Sequence, residues 1–199
     1  MLYEQVLGHE AAQLHPQVAA LHCGEGHVKA VGWMRIQGGS TRLCRLVGEL
    51  LRLPRSGDRV RTQLLITRHS DGERWVRRFG SGAAICSRQT AWAGGGLVER
   101  WGPIAFVFAV EAGGGVLRFR QQSCRLRWGW LDVRLPHMVA PHIHAVVSPA
   151  PAGGVAVSVR AGLRPFGALL TYEGVVDIRR TFDANRVVAA GPAGAHRRV

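Results

Sequence analysis

The chain has 199 residues, enough for one domain with a real core, and 47% apolar against 20% charged residues excludes a disordered protein. No apolar run is long enough for a membrane-spanning helix, and Glu4, Gln5, His9 and Glu10 interrupt any leader-like core, so a cytoplasmic location is the default expectation. The formal charge is +13, with Lys29 the single lysine, so an acidic partner (nucleic acid, anionic lipid, or a carboxylate or phosphate ligand) is weighed against a merely solvated basic surface.

In chain order, residues 2–21 read as an amphipathic helix through Leu2, Tyr3, Val6, Leu7, Leu14, Val18 and Leu21, with a break or restart at Pro16. A turn at Cys23-Gly24-Glu25-Gly26 leads into a strand from His27 to Ile36. A second helix is predicted near 41–53, capped by Ser40 or Thr41 and ended by Pro54. Its stripe of Leu43, Leu46, Val47, Leu50 and Leu51 is expected to pack on a sheet, and Arg42, Arg45, Arg52 and Arg55 occupy its other faces. A membrane-surface role for this helix is the lesser alternative.

From Val60 onward the pattern is strand and turn. Val60–Arg68 and Glu73–Phe79 are joined through Asp71-Gly72, a hairpin signal. Ala83–Trp92, Leu97–Val110, Val116–Gln122, Trp128–Leu135, His142–Ser148, Val155–Ala161 and Leu169–Arg180 follow, punctuated by glycine triplets and Pro/Ala/Gly turns. The fold class is mainly β (α+β): an antiparallel meander curling into a barrel-like sheet, with the helix near 41–53 and the N-terminal helix beside it. One domain is expected over 1–181, followed by a disordered basic tail at 182–199. Between Leu117-Arg118-Phe119-Arg120 and Leu126-Arg127-Trp128 the apolar residues change parity, which predicts a bulge near Gln121–Cys124 in preference to an inward arginine. Cys23, Cys44, Cys86 and Cys124 have no paired spacing and are expected as free, mostly buried thiols.

The residues carry a resemblance. Leu2-Tyr3-Glu4-Gln5-Val6-Leu7-Gly8, Ala20-Leu21-His22, Leu53-Pro54, Glu73-Arg74-Trp75 with Arg77, Phe79 and Gly80, Leu97-Val98-Glu99-Arg100 with Gly102-Pro103, Leu135-Pro136, Pro141 and Tyr172-Glu173-Gly174 resemble a bacterial domain-of-unknown-function family, the one numbered 4166. The resemblance supplies no activity. It implies a single domain or a C-terminal companion of NAD(P)-binding oxidoreductase-like domains, here expected to be a separate protein. Where the family often has Gly before its Leu-Pro pair, this chain reads Val133-Arg134-Leu135-Pro136.

The candidate site is an aromatic and cationic face. Period-2 alternation places Trp75, Arg77 and Phe79 on one side of a strand, and Glu99 and Trp101 on one side of another, with Arg100 opposite. If the sheet curls, Arg77 holds an acid group or pairs with Glu73 or Glu99, while Trp75, Phe79, Phe106 and Phe108 form a wall. The candidate ligand-binding set is therefore Trp75, Arg77, Phe79, Glu99, Arg100, Trp101, Phe106 and Phe108, and the ligand a small amphipathic or acidic apolar molecule. For Glu73 and Glu99, exposed pairing with Arg61, Arg100 or Arg120 is favoured over an inward carboxylate pair. His137, His142 and His144 are weak metal candidates without a nearby acid, and Cys86 reads as a buried thiol. No Gly-x-Ser-x-Gly elbow or Gly-x-Gly-x-x-Gly turn occurs, so no catalytic residue and no cofactor is assigned and the reading leans against an enzyme. Docking on a separate oxidoreductase is the alternative; nucleic-acid binding rests on charge alone, with no specific recognition motif.

Overall fold

The computed structural model describes residues 1–24, 26–82 and 84–180. Its core is a closed ten-stranded antiparallel barrel with one further strand outside it. The strands are β1 (His27–Gln37), β2 (Gly57–His69), β3 (Gly72–Phe79), β4 (Ala84–Ala91), β5 (Leu97–Trp101), β6 (Ile104–Gly113), β7 (Val116–Trp128), β8 (Leu131–Arg134), β9 (Pro141–Pro149), β10 (Val155–Leu163) and β11 (Gly167–Arg180). Each strand of the barrel pairs with its sequence neighbours, β8 stands outside on the free end of β7, and β1 joins β11 to complete the ring. The expected meander is thus the observed one, and alternation is its cause: on β1, Val28, Ala30, Met34 and Ile36 are buried while Lys29, Trp33 and Arg35 face out.

The predicted N-terminal helix is three pieces: α1 (Leu2–Leu7), a 3-10 turn over Gly8–Gln13, and α2 (Pro16–His22). The break falls at Gly8, where φ is +56°, and again at Leu14-His15, which bond to the β6–β7 turn through His15 N and Gly115 O at 3.2 Å. The restart expected at Pro16 is present: it opens α2 in the first-turn position, where its missing N–H costs nothing. Tyr3, Val18, Leu21 and His22 are buried, so these pieces plug one end of the barrel.

The second helix, α3 (Arg42–Leu50), links β1 to β2 at the opposite end, with Thr41 Oγ1 accepting from Cys44 N at 3.2 Å as its cap. It ends three residues before the predicted boundary. The expectation that its leucine stripe packs on the sheet is corrected: Cys44 alone is buried, its Sγ 3.5 Å from Phe166 O, while Leu43, Leu46 and Leu50 are exposed. The helix meets the β10–β11 turn at Cys44, with Val47 and Leu51 half-buried, which leaves the three leucines at 43, 46 and 50 outward.

Two predicted strands are each split in two. Leu97–Val110 turns at Gly102, φ +56°, into β5 and β6, and Trp128–Leu135 divides at Gly129, φ +57°, so that β7 runs through Trp128 and β8 returns from it. The predicted bulge is present. Val107 pairs with Ser123 and Phe108 with Gln121, which leaves Gln122 as the extra residue. Leu117, Phe119 and Cys124 therefore all face inward, and none of Arg118, Arg120, Arg125 and Arg127 has to. Where β9 parts from β7, the Gln121 amide replaces the ladder, donating to Pro141 O at 2.7 Å and accepting from Ile143 N at 2.8 Å.

The β1–β11 seam has no room for side chains at two points. A Cβ on Gly32 would run into Val175 O, and one on Gly174 into Trp33 O, both backbone atoms of the facing strand. Gly32→Ala and Gly174→Ala are each expected to destabilise the barrel by about 1–3 kcal/mol, the usual cost of overpacking. Urea unfolding measures it; a midpoint unchanged in both variants would show that the strands separate without strain.

No helix among the described residues is long and apolar enough to cross a membrane. The tail expected at 182–199 lies outside the described residues.

Candidate functional site

The barrel encloses a cavity of about 150 Å³. At the helical end its lining is buried: Tyr3, Leu21, His22, Trp75, Phe119 and Val147. Toward the other end the lining residues Ile85, Ile143, Val159 and Tyr172 are only half-buried. The cavity therefore opens at the end that carries α3, where the β3–β4, β5–β6, β7–β9 and β10–β11 connections also lie. Its surface is mainly aliphatic and aromatic, with few polar groups.

Two polar networks lie inside the barrel, one beside the cavity and one reaching into its wall through Arg77 and Glu99. On the hairpin read from Asp71-Gly72, Arg68 faces Glu73 in register, and Arg68 Nε donates to Glu73 Oε1 at 3.1 Å. Arg68 Nη2 donates to Leu21 O at 2.8 Å, tying α2 to the barrel, and Trp75 Nε1 donates to Glu73 Oε2 at 3.0 Å. Burial raises the Glu73 pKa, and the opposing pull of Arg68 does not fully cancel it. The second network lies nearer the mouth. Arg77 Nη2 meets Glu99 Oε1 at 3.0 Å, Arg77 Nη1 donates to Ser87 Oγ at 2.8 Å, and Ser87 Oγ donates to the same Glu99 oxygen at 2.5 Å. Burial by itself would lower the pKa of Arg77; Glu99, with Tyr172 and Tyr3, more than offsets this, so the guanidinium stays charged. Arg77 also lies 5.0 Å from the Trp75 ring centroid, a cation–π contact.

His22 stands apart from both. It is 2% exposed, lies 4.6 Å from the Tyr3 ring and 5.4 Å from Trp75, and neither of its ring nitrogens has a hydrogen-bond partner in the protein. Burial lowers its pKa to about 3, helped by the positive charges of Arg68 and Arg77. At neutral pH it is thus an uncharged imidazole with one donor and one acceptor in the deep end of the cavity. Tyr3 Oη donates instead to Gln89 Oε1 at 2.7 Å, and burial raises its pKa well above the ordinary value.

Of the predicted set, Trp75, Arg77, Phe79, Glu99 and Phe108 line the cavity together. Phe79 packs against Tyr172 near the mouth, with ring centroids 5.3 Å apart and the planes tilted by 59°. Arg100 does not take part: it faces out, opposite Arg88 in the β4–β5 register, because Glu99 takes the inward parity. Trp101 and Phe106 pack in the surrounding core but do not line the cavity. The exposed pairing favoured for the two glutamates is also corrected: Glu73 and Glu99 point inward, each held by an inward arginine. His142 Nε2 lies 3.0 Å from His137 O and the two rings stack at 6.0 Å, while His144 is exposed on β9. No group of three metal-ligating side chains occurs among the described residues. Cys86, read as buried, is exposed because Ser87 takes the inward place on β4; Cys44 and Cys124 are buried, and burial raises Cys124 to about 11.

Sequence reasoning did not reach His22, Tyr3, Arg68, Ser87, Gln89 or Tyr172. Two signals were available. Val18 and His22 are four apart, one face of a helix read one residue too short, and Ile85, Ser87 and Gln89 alternate as an inward stripe on β4.

A family model described as "Domain of unknown function (DUF4166)" matches residues 14–176. No curated protein and no solved structure matches the chain.

Proposed function

The chain belongs to the DUF4166 family, whose description carries no activity, and we propose that its barrel binds a small amphipathic molecule. The observation that carries this reading is His22: a buried imidazole with both nitrogens unpaired, aimed into a mainly apolar cavity. A buried polar group without a partner is costly, and a ligand hydroxyl, amide or protonated acid that can both give and take a hydrogen bond supplies one. The cavity's volume suits a single ring or a short alkyl chain, the scale on which apolar protein cavities of roughly 150 Å³ take up benzene.

The position of Arg77 refines the ligand. An anionic head group has to displace Glu99 from the guanidinium, so an uncharged polar group is favoured over a carboxylate. Phe79 and Tyr172 form the aromatic entrance, and Trp75, Phe108 and Phe119 the inner wall. A histidine with a pKa of about 3 is a weak proton acceptor at neutral pH, which supports binding over acid–base catalysis.

Native mass spectrometry of freshly purified protein, followed by solvent extraction, tests the proposal. The expected result is a co-purifying small molecule with an apolar body and one polar group, lost from a His22→Phe variant. A clean apo mass, together with no change in melting temperature across a panel of aromatic alcohols and short-chain acids, would overturn it.

A further inference from the structure

We propose that the open end of the barrel is a docking face for an anionic phospholipid surface. The barrel's exposed large apolar side chains are unevenly distributed. Leu46 and Leu50 on α3 are 63% and 80% exposed, Trp130 at the tip of the β7–β8 hairpin 94%, and Met138 in the β8–β9 connection 71%. Val139 beside it and Phe166 in the β10–β11 turn are exposed as well. By the strand order all six belong to connections at one end, the end where the cavity opens. The plugged end exposes Met1 and Trp92.

The chemistry of the rim selects the occupant. On α3 the leucines at 43, 46 and 50 follow helical spacing and point outward, and Arg42, Arg45, Arg52 and Arg55 flank them in the helix and the segment after it. Arg164 stands two residues from Phe166. All five arginines are exposed, and among the described residues none of them forms an ion pair. Glu49 is the one acid on the helix. Apolar side chains on several separate connections do not form one groove for a peptide, but they do form a set of short prongs. With a fringe of unpaired arginines, such prongs match a surface with negative head groups above an apolar layer. The full chain's charge of +13 points the same way. Docked so, the cavity mouth faces the membrane. The docking reading rests on the rim alone and does not require the ligand proposal to hold.

Sedimentation of the full chain with large vesicles of phosphatidylcholine, alone or mixed with phosphatidylglycerol, tests it. Partition to the mixed vesicles is expected to exceed that to phosphatidylcholine by at least about tenfold. The double substitution Leu46→Ser with Leu50→Ser, and separately Trp130→Ser, should each lower it several-fold, with circular dichroism unchanged because all three residues are already exposed. Trp92→Ser at the plugged end should leave it unchanged. Absence of binding to mixed vesicles overturns the proposal. Binding that survives the double leucine substitution in full also overturns it, since attraction of the arginines alone would then suffice. A stoichiometric protein that masks the leucines, without vesicle binding, overturns it in favour of a protein partner.

Discussion

Replacing Arg77 by methionine is expected to cost about 3 kcal/mol of stability, the low end of the range for a buried ion pair broken on one side. The reason is what stays behind. Glu99 is 19% exposed and loses its charged partner, while Ser87 loses the donor to its oxygen and keeps only its bond to the same carboxylate. Arg77 itself is 17% exposed, so some solvent reaches the pair and the loss stops short of the upper end of that range. The double variant, with Glu99→Leu added, removes the stranded charge and should recover a large part of the loss. Urea unfolding of the two single variants and the double variant measures the coupling. If Arg77→Met alone left the midpoint unchanged, the pair would be no part of what holds β3, β4 and β5 together.

The acid side of the stability curve should belong largely to His22. Its pKa is about 6.5 in an unfolded chain and about 3 in the barrel, so the unfolded state binds the extra proton between those values. Its contribution is intact above about pH 6.5 and is lost progressively as the pH falls toward about 3, by on the order of 5 kcal/mol in all. Glu73 acts in the opposite sense. Its raised pKa makes the folded state the better proton binder above pH 4.5, which returns some stability on acidification. Comparison with His22→Phe separates the two, since phenylalanine fits among Tyr3, Trp75 and Phe119 and has no proton to take up. The variant's unfolding free energy should fall less steeply between pH 6.5 and 3. Equal slopes would mean that His22 is solvated or paired in solution.

The barrel was legible because its signals are local. Asp71-Gly72 fixes a hairpin, the glycine triplets mark turns, and the change of parity around Gln121–Cys124 becomes a bulge at Gln122. That Trp75, Arg77 and Phe79 share one face also follows from alternation within one strand, but that this face is the inner one does not. What alternation does not convey is which partner an inward charge meets. The choice of Glu99 for Arg77 depends on β4 lying between them and offering Ser87 at the right register. Arg100 illustrates the same limit: neighbouring Glu and Arg must take opposite faces, and only the closed sheet decides which is inside. The leucine stripe of α3 read correctly as amphipathic, but whether such a stripe packs or stays bare depends on where the helix lands. Here the β10–β11 turn meets it at Cys44, on the far side from Leu46 and Leu50.

The ring of strands also sets an order of assembly. From β1 to β11 neighbouring strands follow one another along the chain, so most of the sheet can form from short hairpins as the chain lengthens. The exceptions are β9, which passes over β8 to pair with β7, and above all β1 with β11, where Val28 must find Arg180 across nearly the whole sequence. During synthesis the N-terminal plug and the aromatic wall are made early, but they enclose nothing until this last strand arrives. Until then β1 is an edge strand whose inner face is apolar and whose glycine at position 32 offers little resistance to a wrong partner. A nascent chain held short of residue 167 lacks the strand that closes the ring, so the cavity is enclosed only after the final hairpin is released.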